Sequence, residues 1–212
     1  MAASLLAILI ALGLPRLVPA AAAWRGDGWF RLWSAQLREI GGMPRVLLAL
    51  AVPGALCLLI SWLLGLLPPG GLWRFVFAAA VLLWSLGPRE LEPDLDALSG
   101  DEAGRQVAAR ALAGTAAAMP AWAAGPLLET VAYAALRRRF GTLFWFLLLG
   151  PLGALLYRLA QTLGRDGSLK LDPASRGDAR YLANALDWLP AHLLTFTLAL
   201  VGHWEAVIGA WR

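Results

Sequence analysis

The amino-acid sequence predicts an all-α, polytopic integral membrane protein of a bacterial type, with interfacial and loop helices between its spans. Three observations predict it. Hydrophobic residues make up 59% of the 212 and charged residues 15%, against about 25% charged in an ordinary soluble domain; mean hydropathy is +0.64. The apolar residues gather in long uncharged runs instead of alternating with polar ones, the pattern of helices dissolved in lipid. Clusters such as Pro68-Pro69-Gly70-Gly71 separate neighbouring runs and reverse the chain between them. One membrane domain over 1–212 is the economical organisation, with spans at 4–19, 46–67, 72–87, 140–157 and 189–210. Polar or helical connections fill 24–45, 88–139 and 158–188.

The first run, 4–18, has the length of a signal-peptide core, and Ala20-Ala21-Ala22-Ala23 offers small residues for cleavage. Yet no positive charge precedes it and Arg16 interrupts it, so a retained first helix is expected. Asp27 is placed to cap the next segment, in which Phe30, Trp33, Leu37 and Ile40 recur at helical spacing and Arg31, Ser34 and Arg38 take other faces. Trp24, Trp29 and Trp33 suit the headgroup level, so a helix lying in the membrane interface is expected. The alternative is an amphipathic helix packed on a neighbour.

The run 46–67 holds no charge and matches the roughly 20 residues that cross the hydrocarbon core; Pro53 should kink it. After the Pro-Gly reversal, 72–86 returns with Arg74 near its start, able to snorkel to the interface. From Gly87 the chain turns polar. Glu90, Glu92, Asp94 and Asp96 read as a solvated acidic loop rather than a divalent-cation site. Ser99 with Glu102 forms a capping-box pair for a helix from 100 to 118. Whether the weakly apolar 111–128 spans, dips or stays outside decides the side of everything after it.

The second firm span, 140–157, lies between Arg137-Arg138-Arg139 and Arg158 and carries Gly150-Pro151-x-Gly153 in its middle. A kinked helix is the plain expectation and a broken or re-entrant one the alternative. In the polar loop 158–187, Asp172-Pro173 is an N-cap and N1 pair for a helix running toward Trp188. The last run, 189–211, contains His192, His203 and Glu205.

Eighteen Lys+Arg against fourteen Asp+Glu give a net charge of +4, with Lys170 the only lysine. The arginines are spread among loops, which points to lipid headgroups and positive-inside sorting, not to nucleic acid. Arg25, Arg31, Arg38 and Arg45 are expected on the same, cytoplasmic, side as Arg89, Arg105, Arg110 and Arg137 to Arg139. The lone Cys57 excludes an intrachain disulfide and reads as a small core residue.

No phosphate-loop, dinucleotide-binding or nucleophile-elbow motif occurs, and His192 and His203 stand too far apart for a helical metal pair. No metal and no cofactor are therefore expected. Glu129 stands alone between apolar stretches. If buried it needs a partner among Arg137 to Arg139 or Arg158, and if interfacial it needs none. Glu205 beside His203 admits the same two readings.

The stretch Leu143-Phe144-Trp145-Phe146-Leu147-Leu148-Leu149-Gly150-Pro151-Leu152-Gly153-Ala154-Leu155-Leu156-Tyr157-Arg158 resembles the AmpE branch of the AmpE/CobD/CbiB membrane-protein family. Leu186-Asp187-Trp188-Leu189-Pro190-Ala191-His192 and Ala199-Leu200-Val201-Gly202-His203-Trp204-Glu205 agree, and Gly87-Pro88-Arg89-x-Leu91 and Gly100-Asp101-Glu102 agree more weakly. In this family the cobalamin-pathway synthases join an aminopropanol unit to a corrin precursor by ATP-dependent amide ligation. They carry a polar Glu-Asn-Thr element before the Phe-containing span. Here Glu129-Thr130-Val131-Ala132 matches its lead-in, but Tyr133, Ala134 and Ala135 fall on the polar trio and Arg137 on an acidic position. Gln161-Thr162-Leu163-Gly164 likewise stands where the synthases have Asn-Thr-Leu-Asp. From the AmpE branch the chain departs at Pro15-Arg16-Leu17, and it ends soon after Glu205, where relatives continue; that makes it a short member or a truncated sequence.

The resemblance implies a non-enzymatic regulatory protein of the bacterial inner membrane, multi-pass, linked to β-lactamase induction and cell-wall stress sensing. Its expected partners are the lipid bilayer and an unidentified protein or cell-wall-derived ligand. The alternative is an ATP-dependent adenosylcobinamide-phosphate synthase-like enzyme, and a lipid- or muropeptide-binding module is a third reading. Candidate functional residues are Glu129, Tyr157, Arg158, Asp187, Trp188, His203 and Glu205, the polar or amphipathic groups in the family-like blocks or at membrane depth.

Overall fold

A computed structural model describes residues 6–11, 13, 26–87, 91–113 and 122–201, and among these every regular element is helical. In chain order they are α1 (Gly28–Gln36), α2 (Gly42–Leu66), α3 (Gly70–Ser85), α4 (Leu91–Leu98), α5 (Glu102–Ala113) and α6 (Ala124–Ala135). A π-helical turn (Leu136–Phe140) then leads into α7 (Gly141–Leu149), α8 (Pro151–Arg165) and α9 (Pro173–Val201). Among the described residues, α2 is the one helix long and apolar enough to cross a bilayer, with α3 a shorter apolar companion. At about 1.5 Å per residue its 25 residues extend about 37 Å, against a hydrocarbon core of about 30 Å. Pro53 is accommodated inside it and Cys57 is buried, as expected of a small core residue.

The expected span 140–157 is two helices. At Gly150 the chain adopts φ +65°, which favours glycine, and Pro151 at the start of α8 has no N–H to continue the ladder of α7. The chain turns back on itself. Small residues let the two backbones touch: a Cβ at Gly153 would overlap the Trp145 carbonyl oxygen and lie 2.8 Å from Leu149 Cβ, and one at Gly141 would overlap the Tyr157 hydroxyl. Position 141 therefore faces 157 and position 145 faces 153, which makes α7 and α8 an antiparallel hairpin.

The polar loop expected over 158–187 shrinks to 166–172. Its first part is the second half of α8, which packs against α2, α3, α7 and α9. Leu155, Leu159, Ala160 and Leu163 fill the main core with Phe30, Val46, Leu50 and Ala179. Polar letters misled here because helical folding turns Tyr157, Gln161 and Arg165 toward partners on α9 rather than toward water. Its second part begins α9 as expected at Pro173, with Asp172 accepting the Ser175 N–H at 2.9 Å. This helix runs on without a break through Pro190 to Val201, so no separate last span begins at 189.

Other expectations are corrected by side-chain partners. Asp27 precedes α1 but makes no capping bond; its carboxylate receives Arg158 at 2.9 Å instead. Helix α1 lies against protein, with Phe30 and Ser34 buried and Trp29 beside Trp84, rather than presenting its whole apolar face to headgroups. Ser99 turns its hydroxyl to the Asp96 carbonyl, and Asp101 caps α5 by accepting the Gly104 N–H at 3.2 Å. The acidic stretch is helix α4, not a solvated loop: Asp94 pairs with Arg138 at 2.6 Å, and Glu92 receives both Nη atoms of Arg139. The 114–118 end of the expected helix lies outside the described residues, as does the 114–121 part of the 111–128 stretch, and with it the side which that stretch takes.

Arg45 locks three elements at one end of α2. Nearly fully buried, it donates to Asp172 Oδ1 and the Ser34 carbonyl at 3.1 Å each and to the Lys170 carbonyl at 3.4 Å. Bonds from Ser175, and then from Arg45, hold the Asp172 carboxyl well below the usual carboxylate range. A carboxyl whose pKa is depressed by folding stabilises fully above its ordinary value of about 3.9, and that contribution is lost as the pH falls further. Detergent-solubilised wild-type protein should accordingly lose more Tm between about pH 5 and about pH 3 than the D172N variant, measured by thermal unfolding; equal losses would exclude this role.

Gly153→Ala should destabilise the protein by about 1–3 kcal/mol, because the fixed backbone of α7 must move. Gly177→Ala on α9, where a Cβ meets nothing within 4 Å, should stabilise by about 0.5–1 kcal/mol. Chemical denaturation in detergent reads both, and a neutral G153A would mean that the α7–α8 hairpin is not closely packed.

Candidate functional site

Tyr157, Gln161 and Arg165 follow one another at four-residue spacing on α8 and so share a face. Across from them α9 presents Asn184 and Asp187. The Asp187 carboxylate accepts from the Tyr157 hydroxyl and Gln161 Nε2 at 2.7 Å each on Oδ1, and from Arg165 Nη2 at 2.8 Å on Oδ2. Arg165 also reaches Gln161 Oε1 at 2.6 Å and Asn184 Oδ1 at 2.9 Å. Arg137 approaches Asp187 from the π-turn, its Nε 3.7 Å from Oδ2, and its guanidinium lies over the Tyr133 ring. Burial, and then the nearby Arg165, lower the Arg137 pKa, while Asp187 opposes the shift. Tyr157 is almost wholly buried, and Gly141 makes room for its hydroxyl.

This network forms one wall of a cleft of about 570 Å³. Arg31, Arg137, Arg138, Arg158, Arg165 and Arg180 line it, together with Asp27 and Asp166. Arg158 pairs with Asp27 at 2.9 Å and Arg31 with Asp166 at 3.1 Å; Asp94 and Asp187 neutralise Arg138 and Arg165 from behind. Among the described residues, six guanidinium groups against four carboxylates leave two positive charges over. A concave cationic surface with low-dielectric walls concentrates anions, and guanidinium forks suit carboxylate and phosphate oxygens. Gln161, Thr162 and Asn184 add neutral polar groups to the same wall. Among the described residues, no group of three His, Cys, Asp or Glu gathers as a metal site.

Of the residues singled out in the sequence, Tyr157 and Asp187 bond directly and Arg158 lies on the cleft. Glu129 is exposed on α6, away from Arg137 to Arg139, whose partners lie elsewhere. Trp188 is exposed and packs on His192, ring centroids 4.2 Å apart, outside the cleft. His203 and Glu205 lie outside the described residues. Sequence reasoning missed Gln161, Arg165, Asn184 and Arg137 as site members. The 157–161–165 spacing was a usable signal, hidden because that stretch was read as loop.

Removing Asp187 leaves Tyr157, Gln161 and Arg165 without their shared acceptor and Arg137 without its ion-pair partner. Asp187→Ala should cost about 3–5 kcal/mol, the penalty for orphaning buried charge, and Tyr157→Phe about 1.5–3 kcal/mol for one lost bond to a charged group. The double variant should fall short of their sum, because both remove the same bond. Denaturant unfolding in detergent measures this, and full additivity would show that the two groups do not interact.

The chain is similar to the cobalamin biosynthesis protein CobD of Chromobacterium violaceum, 40% identical over 80 residues, covering 34% of this chain and 24% of the relative. It is also similar to the cobalamin biosynthesis protein CobD of Stutzerimonas stutzeri, 33% identical over 164 residues, covering 73% of this chain and 53% of the relative. The chain thus spans about half, or less, of the length of these curated relatives. No protein-family model matches it, and no solved structure does. The AmpE-like assignment, with its role in β-lactamase induction, is corrected by these relatives, whose descriptions are of cobalamin biosynthesis. The similarity supports the CobD/CbiB side of the resemblance.

Proposed function

We propose that this chain acts in cobalamin biosynthesis as a membrane-embedded protein like CobD, with the arginine-lined cleft as its substrate site. The observation that carries the reading is the cleft itself: six guanidinium groups converge on one concavity in a chain similar to CobD over 73% of its length. The reaction class is the ATP-dependent amide ligation that the resemblance implies. A corrinoid carboxylate takes a phosphoryl group from ATP, the amine attacks the acyl carbon, and phosphate leaves as the nitrogen sheds a proton. The carboxylate, ATP, the acyl phosphate and the departing phosphate are anionic, so guanidinium groups serve to hold and orient them.

The chain's own residues divide the work. Arg31 and Arg180 sit at the more open part of the cleft, where they can meet an incoming anion. Arg158 and Arg165 are fixed by Asp27 and Asp187 and give the wall a set geometry. Where the synthases carry a polar trio and an acidic position, this chain has Tyr133, Ala134, Ala135 and Arg137. Acceptance of the amine proton therefore falls to the cleft's lining carboxylates, Asp27 and Asp166. In this reading α2 and α3 form a transmembrane hairpin, and the protein is a multi-pass component of the bacterial inner membrane.

Membranes containing the chain should convert a corrinoid carboxylic acid and an aminopropanol, with or without its phosphate, to the amide only when ATP is present, followed by mass spectrometry. Arg31→Ala and Arg180→Ala should each raise KM about tenfold with unchanged Tm, the effect of losing one charge-assisted contact to a bound anion. Absence of amide from membranes holding folded protein, or unchanged kinetics in both variants, would sink the proposal.

A further inference from the structure

Between Phe140 and Tyr157 the sequence holds no charged residue, yet the chain reverses in the middle of that run. The uncharged part of each arm, bounded by Arg139 on one side and Arg158 on the other, is too short to cross a bilayer: the nine residues of α7 extend about 14 Å, close to half of a hydrocarbon core of about 30 Å. Helix α2 serves as a depth ruler. Gly54 is the midpoint of the 25-residue α2, and a Cβ there would lie 3.2 Å from Leu156 Cδ2 and 3.5 Å from Leu152 Cδ1. The Gly150 turn, just before Leu152, therefore stands near the middle of α2. At the other end of α8, Arg165 leads into the 166–172 loop, where Lys170 and Asp172 meet Arg45 near the start of α2. The other arm begins at Arg137 to Arg139, which pair with Asp187, Asp94 and Glu92. Both arms of the hairpin thus open on the charged end of the molecule.

The tip is largely bare. Leu147, Leu148 and Leu149 are all more than half exposed, although three consecutive helical residues fan over about 200° of the helix circumference. Among the described residues the tip packs on protein only through Phe146 and the Gly153–Ala154 side, and the three exposed leucines form an apolar surface that is unfavourable in water. It is continuous in depth with the exposed Val52, Leu56, Leu59 and Leu63 along α2.

We propose that the α7–α8 hairpin is a re-entrant element, which dips to the mid-plane of the bilayer and returns to the side it came from, its leucine tip solvated by acyl chains. This rests on the transmembrane placement of α2 proposed above. At the break the Phe146 carbonyl accepts the Gly150 N–H at 2.8 Å and the Trp145 carbonyl lies against Gly153, so these two groups are met within the protein, as membrane depth demands. One consequence is that 137–139 and 166–172 face the same compartment, and the cationic cleft opens on it.

Single cysteines in a Cys57→Ala background test this in the full chain. Ser168→Cys, Gly71→Cys and Leu148→Cys are each exposed to a membrane-impermeant maleimide in right-side-out and in inverted vesicles. Position 168 should label from one side, 71 from the other and 148 from neither. A fluorophore attached at 148 in detergent and reconstituted should be quenched severalfold more by lipids brominated near mid-chain than near the headgroup. Labelling of 148 from the side that labels 71 would make 140–157 a crossing span and overturn the proposal. Labelling of 148 from the side that labels 168, or quenching mainly by shallow bromines, would place the hairpin outside the bilayer and overturn it as well. Labelling of 71 and 168 from the same side would show that α2 does not cross and would overturn the proposal with it. Turnover is not read in any arm, so failure here and failure of the amide-ligation reading are separate results.

Discussion

The carboxylate of Asp187 is the point on which the polar end of this protein is assembled. It takes bonds from Tyr157, Gln161 and Arg165 on α8 and stands 3.7 Å from Arg137 Nε on the π-turn. Three elements far apart in sequence are joined by one ionised group. A buried carboxylate is tolerated only when its charge and lone pairs are met, so the geometry of α8 against α9 has little freedom. The arginine wall of the cleft inherits that rigidity.

Below this layer the packing is steric and apolar. Gly153 brings the α8 backbone against the Trp145 carbonyl of α7 and Gly141 leaves room for the Tyr157 ring, and the leucines of α8 join α2 and α9 in the main core. Arg45 repeats the principle of the polar layer on the other face, tying α1, α2 and the 166–172 loop through two carbonyls and Asp172. Among the described residues the ion pairs of Arg45, Arg158 and Arg165 lie toward the start of α2, while Arg74 stands apart beside Ser61 at its other end and exposed apolar side chains run along α2.

Much of the helical content was readable. The α2 run, the Pro-Gly reversal into α3, and Asp172-Pro173 as the start of α9 each rest on local chemistry: charge-free length, missing N–H groups and a short carboxylate next to the first turn. Errors came where a local signal had a distant competitor. Asp27 and Ser99 looked like caps, but one carboxylate was claimed by Arg158 and the other position was taken by Asp101. The acids of α4 looked solvated because their partners, Arg138 and Arg139, lie more than forty residues away. Of the site, Tyr157, Arg158 and Asp187 were singled out, while Glu129 and Trp188 face away from the cleft. Gln161 and Arg165 were overlooked because a buried polar helix face and a solvated loop have the same composition.

By itself the sequence determined that the chain is helical, that one stretch around Cys57 is long and apolar enough to cross a bilayer, and where several helices begin, because these depend on neighbours within a few residues. It could not decide which charges pair, that 140–157 folds back on itself, or that six arginines meet in one cleft. Those features arise from contacts between residues as far apart as Arg31 and Asp166, and their energies are fixed by burial and distance, which exist only once the helices have packed.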